Sequence, residues 1–97
     1  MKSRYAWVIT QDHFDNSSEG MNGPSNLNSQ LLEKATRDGD KFRMRDDDGN
    51  LMLTGKIAGT YDGFEPLNDF GTPDVGCTRI EYYERNSKTG SWEWNTL

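Results

Sequence analysis

The side chains of this sequence that could do chemistry are few. Asp46-Asp47-Asp48-Gly49-Asn50 is the densest carboxylate group, and the first chemistry to test there is calcium binding. A calcium loop of the helix-loop-helix kind needs oxygen ligands at positions 1, 3 and 5, glycine at 6 and glutamate at 12. Counting from Asp46 places Leu51 at position 6 and Ile57 at position 12, so the pattern fails. Asp48-Gly49 instead reads as a hairpin tip, because glycine accepts the positive φ such turns need. A turn needs one aspartate, and three adjacent carboxylates repel one another, so the tip is expected to meet a cationic partner.

His13 is the only histidine, with Asp12 and Asp15 beside it. Metal sites use three or four convergent ligands with supporting partners, so one loop histidine reads as a solvated side chain. Cys77 is the only cysteine. A nucleophilic thiol needs an adjacent base and an activating environment; at the start of a strand it reads as a small buried apolar residue. One cysteine also excludes an internal disulfide and a multi-cysteine metal site. With no phosphate cradle, nucleophile elbow or metal signature, the chain is expected to be neither an enzyme nor a cofactor protein.

The acid has a more informative arrangement. Ten of the 16 acidic residues fall in three Gly-, Asn- and Pro-rich segments that contain no Lys or Arg. These are Asp12, Asp15 and Glu19; Asp46, Asp47 and Asp48; and Asp62, Glu65, Asp69 and Asp74. The chain as a whole carries −5, so the rest is basic and the signs are segregated. Loops on a scaffold commonly carry function, and a surface of one sign attracts a partner of the other. Tyr61, Phe64 and Phe70 punctuate the third segment, adding aromatic anchors to an anionic surface, as interfaces do. The plainer reading of Phe64, Leu67 and Phe70 is that they pin the loop to the core. The acidity also disfavours direct nucleic-acid binding, which requires a basic surface. Lys41, Arg43, Arg45 and Lys56 form at most a small basic patch of strand residues, paired across a hairpin.

These segments need elements to position them. Arg4–Thr10 alternates as a strand, with Tyr5, Trp7 and Ile9 on one side and Ala6 and Val8 on the other. Gln11–Asn26 reads as a long loop. Leu27, Leu31, Leu32 and Ala35 form a stripe at helical spacing, with Asn28 as N-cap and Gly39 as a left-handed C-cap. Lys41–Arg45 and Leu51–Tyr61 read as a hairpin, with Gly55 and Gly59 marking close packing or a bulge. Asp62–Gly76 reads as a second long loop. Thr78–Arg85 and Ser91–Leu97 complete the order β-α-β-β-β-β. The expected fold is an α+β domain spanning residues 1–97, a mostly antiparallel five-stranded sheet with one short helix on a face. The aromatics Tyr5, Trp7, Phe42, Tyr82, Trp92 and Trp94 are assigned mainly to its core. Trp92 and Trp94 fall on an expected edge strand, which could pair with a second copy or a partner; otherwise they cover the face opposite the helix.

No segment reaches the ~18–20 apolar residues of a membrane helix, and Met1–Thr10 lacks the apolar run of a signal peptide. A soluble cytoplasmic protein without a membrane partner is expected. The stretches FRMRDDDGNLMLTGKIAG, GFEPLNDFGTPDVGCTRIEYY and YAWVIT with the following Asp12-His13 resemble small acidic proteins of bacterial genomes and their mobile elements. In size, acidity and lack of reaction chemistry the chain is similar in character to anti-CRISPR proteins, which often occupy a nucleic-acid site on a CRISPR effector. That resemblance implies a stoichiometric inhibitor acting as a DNA mimic, with a basic nucleic-acid-binding protein or CRISPR effector complex as partner. Asp46, Asp47 and Asp48 would be one charge group, Asp62, Glu65, Asp69 and Asp74 a second, and Phe64 and Phe70 the apolar anchors. The competing expectation is an interaction or assembly module whose acidity serves solubility and whose edge-strand aromatics make the contacts.

Overall fold

In the computed structural model, which describes Met1–Leu97, alternation of side chains builds one antiparallel sheet. Its strands are β1 (Tyr5–Asp12), β2 (Asn22–Gly23), β3 (Asp40–Arg45), β4 (Leu51–Gly59), β5 (Arg79–Arg85) and β6 (Trp92–Thr96). Their spatial order is β2-β1-β4-β3-β5-β6. The registers Trp7↔Ile57, Phe42↔Gly55, Met44↔Leu53, Phe42↔Tyr82 and Met44↔Ile80 put the large apolar side chains of four strands on one face. Trp7, Ile9, Phe42, Met44, Leu53, Ile57, Ile80 and Tyr82 are all buried there. Each contributes about 1.5–3 kcal/mol by leaving water, and together they form the main core.

That face is covered by a π-helix, Leu67–Val75. Phe70 lies 5.5 Å from Trp7 between ring centroids, and Leu67 joins the same cluster. Gly71 permits the close approach, since a Cβ there would stand 2.5 Å from Met44 Sδ. The wide turns end at Gly76, whose φ of 80° only glycine adopts easily and whose N–H donates to the Gly71 and Thr72 carbonyls.

The opposite face is covered in part. Helix α1 (Ser29–Asp38) packs on β1 and β4, where Ala35 meets a surface of small residues that includes Ala6 and Ala58, all buried. Asn28 Oδ1 accepts from the Gln30 and Leu31 N–H groups, as an N-cap should. The same face of β3, β5 and β6 has no helix over it.

The α+β class and the antiparallel sheet match expectation, with two additions. The loop expected at 11–26 contains β2, whose two residues pair with Trp7 and Val8 and are too few for any alternation to show. The loop expected at 62–76 contains the π-helix, whose Gly71 and Pro73 read as loop residues. Gly39 is no left-handed cap: its φ of −65° and ψ of 159° are extended, because the chain runs directly from α1 into β3 without reversing. Glycine fits there for another reason, as a Cβ would stand 2.5 Å from the Ala35 carbonyl oxygen. Trp92 and Trp94 do not cover the face opposite the helix; their register with Arg85 and Tyr83 puts them on the helix side, beyond the reach of α1.

Gly55 sits at the centre of the sheet under the Phe42 ring. A Cβ there would stand 2.5 Å from Phe42 Cζ and press on the Val8 carbonyl oxygen, and neither a central strand nor a fully buried ring can yield easily. Gly55→Ala is expected to lower stability by about 1–3 kcal/mol, read as a lower urea midpoint with an unchanged slope.

Candidate functional site

The antiparallel registers decide which acidic segments meet. Tyr5 pairs with Gly59 and Asp12 with Leu53, while Arg45 pairs with both Leu51 and Arg79. The end of β1, the β3–β4 hairpin and the start of β5 therefore share one end of the sheet. The π-helix crosses the apolar face and delivers its C-terminal turn to that end, where Asp74 and Val75 line a depression of about 290 Å³ with Asp12, Phe14, Asp15, Ser17, Ser18 and Met52.

Asp12 organises the first segment. It is buried, and its Oδ1 accepts from the N–H groups of Phe14 at 2.9 Å and Asp15 at 3.3 Å. Its Oδ2 accepts from the Ser18 N–H at 3.0 Å. Burial by itself would raise its pKa, but these backbone donors favour the charged form and bring it from 3.8 down to about 2. Glu19 Oε2 accepts from the Asp12 N–H, and the Ile9 N–H donates to the Met21 carbonyl. The result is a wound loop that presents Phe14 at 75% exposure. His13 Nε2 lies 2.8 Å from Thr54 Oγ1. No cluster of three or more His, Cys, Asp or Glu side chains is arranged to hold a metal ion.

The hairpin tip repeats the device. Asp46 Oδ1 accepts from the Asp48 and Asn50 N–H groups, its Oδ2 accepts from Asn50 Nδ2, and Arg45 donates to the Gly49 carbonyl. The Asn50 side-chain and backbone donors lead in holding the Asp46 carboxyl below its ordinary range. Asp46 thus ties the turn, while Asp47 and Asp48 are exposed. Cys77 is fully buried nearby. Burial first, then the fields of Asp46 and Asp12, raise its thiol to about 11, which opposes thiolate chemistry.

The third segment is split. Asp62 and Glu65 stand at the far end of the sheet, where Glu65 accepts from the Asp62 and Gly63 N–H groups. Asp69 is turned onto the sheet, its Oδ2 accepting from Tyr5 Oη at 2.7 Å and Trp7 Nε1 at 3.0 Å. Burial, then Asp69, raises the Tyr5 pKa. Only Asp74 joins the first two segments. The expectation that Asp62, Glu65, Asp69 and Asp74 act as one charge group is corrected accordingly, because the π-helix carries this segment across the sheet. Phe70 is buried against Trp7 and is no surface anchor; Phe64 is 45% exposed at the far end. The largest depression, about 540 Å³, is also at the far end, lined by Lys2–Tyr5 and Thr60–Asp62 among others.

The candidate site is therefore one end of the sheet, where Asp15 and Asp74 share a depression with the exposed Phe14 and the hairpin tip presents Asp47 and Asp48. All ion pairs of the chain use Glu33, Asp38 or Glu81, so none of these four carboxylates is in an ion pair. Phe14, Met52 and Val75 are the members that sequence reasoning missed. Phe14 carried the same signal as Phe64, an aromatic inside an acidic loop. Met52 and Val75 carried none, since only the crossing of the π-helix brings them together. Arg43 and Arg45 pair with Glu81 on β5 and not across their own hairpin.

Because the Asp12 pKa is depressed in the fold, its contribution is complete above the ordinary value of 3.8 and is lost as pH falls through about 2. Protection of the Phe14 and Ser18 amides from hydrogen exchange is expected to hold above pH 4 and to weaken across that window. Asp12→Asn should remove this pH dependence and lower protection at neutral pH.

The chain matches no protein-family model, no curated protein and no solved structure.

Proposed function

We propose that the chain is a non-catalytic binding protein whose acidic end occupies a basic, nucleic-acid-binding site on a target protein, in the manner of a DNA mimic. The observation that carries this reading is that Asp15, Asp47, Asp48 and Asp74, none of them in an ion pair, lie at the same end of the sheet as the exposed ring of Phe14. Duplex DNA presents one negative charge per ~1.7 Å of its axis, and proteins that bind it carry clustered Lys and Arg. A fixed array of carboxylates offers such a cluster the same charge, and Phe14 adds an apolar anchor of the kind that dominates interface energies. The loops are held by Asp12 and Asp46, so little ordering cost is left for binding.

On this reading the chain acts by occupancy and not by turnover, and needs no cofactor. A CRISPR effector complex is one target with the required basic groove, in keeping with the anti-CRISPR-like character of the sequence and a mobile-element setting. Such a target is met inside the cell. No helix is long and apolar enough to cross a membrane.

A second reading is supported by Trp92, 58% exposed on the edge strand β6: an interaction module that binds through that edge. The two readings separate by mutation. Replacing Asp47, Asp48 and Asp74 together by Asn is expected to weaken target binding about tenfold or more and to flatten its salt dependence. Phe14→Ala should cost about 2 kcal/mol, and Asp62→Asn should leave binding unchanged. The target should be retained from host lysate at low salt, released at high salt and displaced by duplex DNA. Binding that survives high salt, coexists with DNA and is lost in Trp92→Ala would support the edge-strand reading.

A further inference from the structure

The sheet ends on one side in β2, two residues long, and on the other in β6, a five-residue strand with its outer edge open. The direction of the free main-chain groups follows from two bonds. The Leu97 N–H donates to the Ile80 carbonyl, and the Ser91 carbonyl accepts from the Asn86 N–H, so residues 91 and 97 face β5. Main-chain groups alternate sides along an antiparallel strand. Glu93 and Asn95 therefore also face β5, and Trp92, Trp94 and Thr96 point their N–H and C=O groups outward.

Natural edge strands are protected by lysines, prolines, bulges or a covering element. β6 has no Lys or Pro, its register with β5 runs without a bulge, and four of its five residues are exposed. Its only charge is Glu93, whose Oε1 accepts from Asn86 Nδ2. Its aromatic face is already organised: Tyr83 stacks on Trp92 at 5.4 Å and 24°, and Arg43 lies 4.1 Å from the centroid of Trp94.

We infer that β6 pairs antiparallel with β6 of a second copy of this chain, about a two-fold axis at Trp94, joining two sheets into one. In that register Trp94 exchanges both of its outward bonds with Trp94 of the partner subunit. Trp92 and Thr96 exchange theirs with Thr96 of the partner subunit and Trp92 of the partner subunit, about six bonds in all. Glu93 then lies opposite Asn95 of the partner subunit, and no like charges face each other. An axis at Glu93 would oppose two glutamates, which is unfavourable, and an axis at Asn95 would pair fewer residues of β6 with one another. The Trp94 axis also covers the exposed Trp92 with the partner's strand and continues the aromatic stripe across the junction. The pairing leaves the acidic ends of both copies free.

Sedimentation velocity from about 1 μM to about 1 mM tests the pairing. A reversible dimer is expected. Thr96→Pro removes a donor that points outward and leaves the β5–β6 ladder its own bonds, so it should give a monomer with unchanged circular dichroism. Asn95→Glu sets like charges across the junction and should weaken the dimer about two- to tenfold; adding Glu93→Lys to it should restore association. The charge pair decides the matter even if the proline variant fails to fold. A wild-type chain that is monomeric throughout, or a dimer indifferent to the Asn95 and Glu93 changes, overturns the proposal.

Discussion

The sheet depends on the π-helix that covers its apolar face. Without it, Trp7, Phe42, Met44, Ile80 and Tyr82 would stand in water, and a chain with 32% apolar residues has nothing else to put over them. The cover is held by apolar contact and by one charged group. Phe70 packs on Trp7, Gly71 lets the helix sink against Met44, and Asp69 takes the Trp7 indole N–H that would otherwise be stranded on a buried side chain. An unpaired buried donor costs about 1–3 kcal/mol, so Asp69 serves the fold and not the surface. The same crossing sets the charge pattern, leaving Asp62 and Glu65 at one end of the sheet and taking Asp74 to the other.

The carboxylates thus divide by what they do. Asp12, Asp15, Asp46, Glu65 and Asp69 satisfy N–H or O–H groups of turns and core residues. Asp47, Asp48 and Asp74 make no such bond and face water at the acidic end. Stability does not call for unneutralised charges side by side, since self-repulsion opposes the compact state. Arg45, the base nearest the hairpin tip, is taken up by the Gly49 carbonyl and by Glu81; burial opposes the charge of Glu81, and Arg43 and Arg45 together still lower its pKa.

Much of the scaffold was legible because alternation is a strong signal where one face is buried. β1, β3, β4 and β5 show it, and Asn28 announced the start of α1. The edge strand β6 was also readable, but the side to which its tryptophans point was not, because that depends on pairing with Tyr83 and Arg85. The π-helix was hidden by Gly71 and Pro73, residues that mark loops in most settings. Its concealment misplaced the candidate site most, since Phe70 read as an anchor and is core, and Asp69 read as surface charge and is a clamp. Asp46 to Asp48 read as one group because they are adjacent, yet the first ties the turn and only the other two are free. Which carboxylates are spent inside the fold is a matter of hydrogen bonding, and spacing along the chain does not record it.

The end bearing Phe14, Asp47, Asp48 and Asp74 is the proposed seat of a partner. Hydrogen-exchange footprinting of the chain bound to its captured target addresses it most directly. New protection is expected to be confined to residues 13–18, 46–50 and 74–76, with the far end around Asp62 and Glu65 unchanged. Protection at the far end, or on β6 alone with the acidic end still exchanging freely, would contradict it.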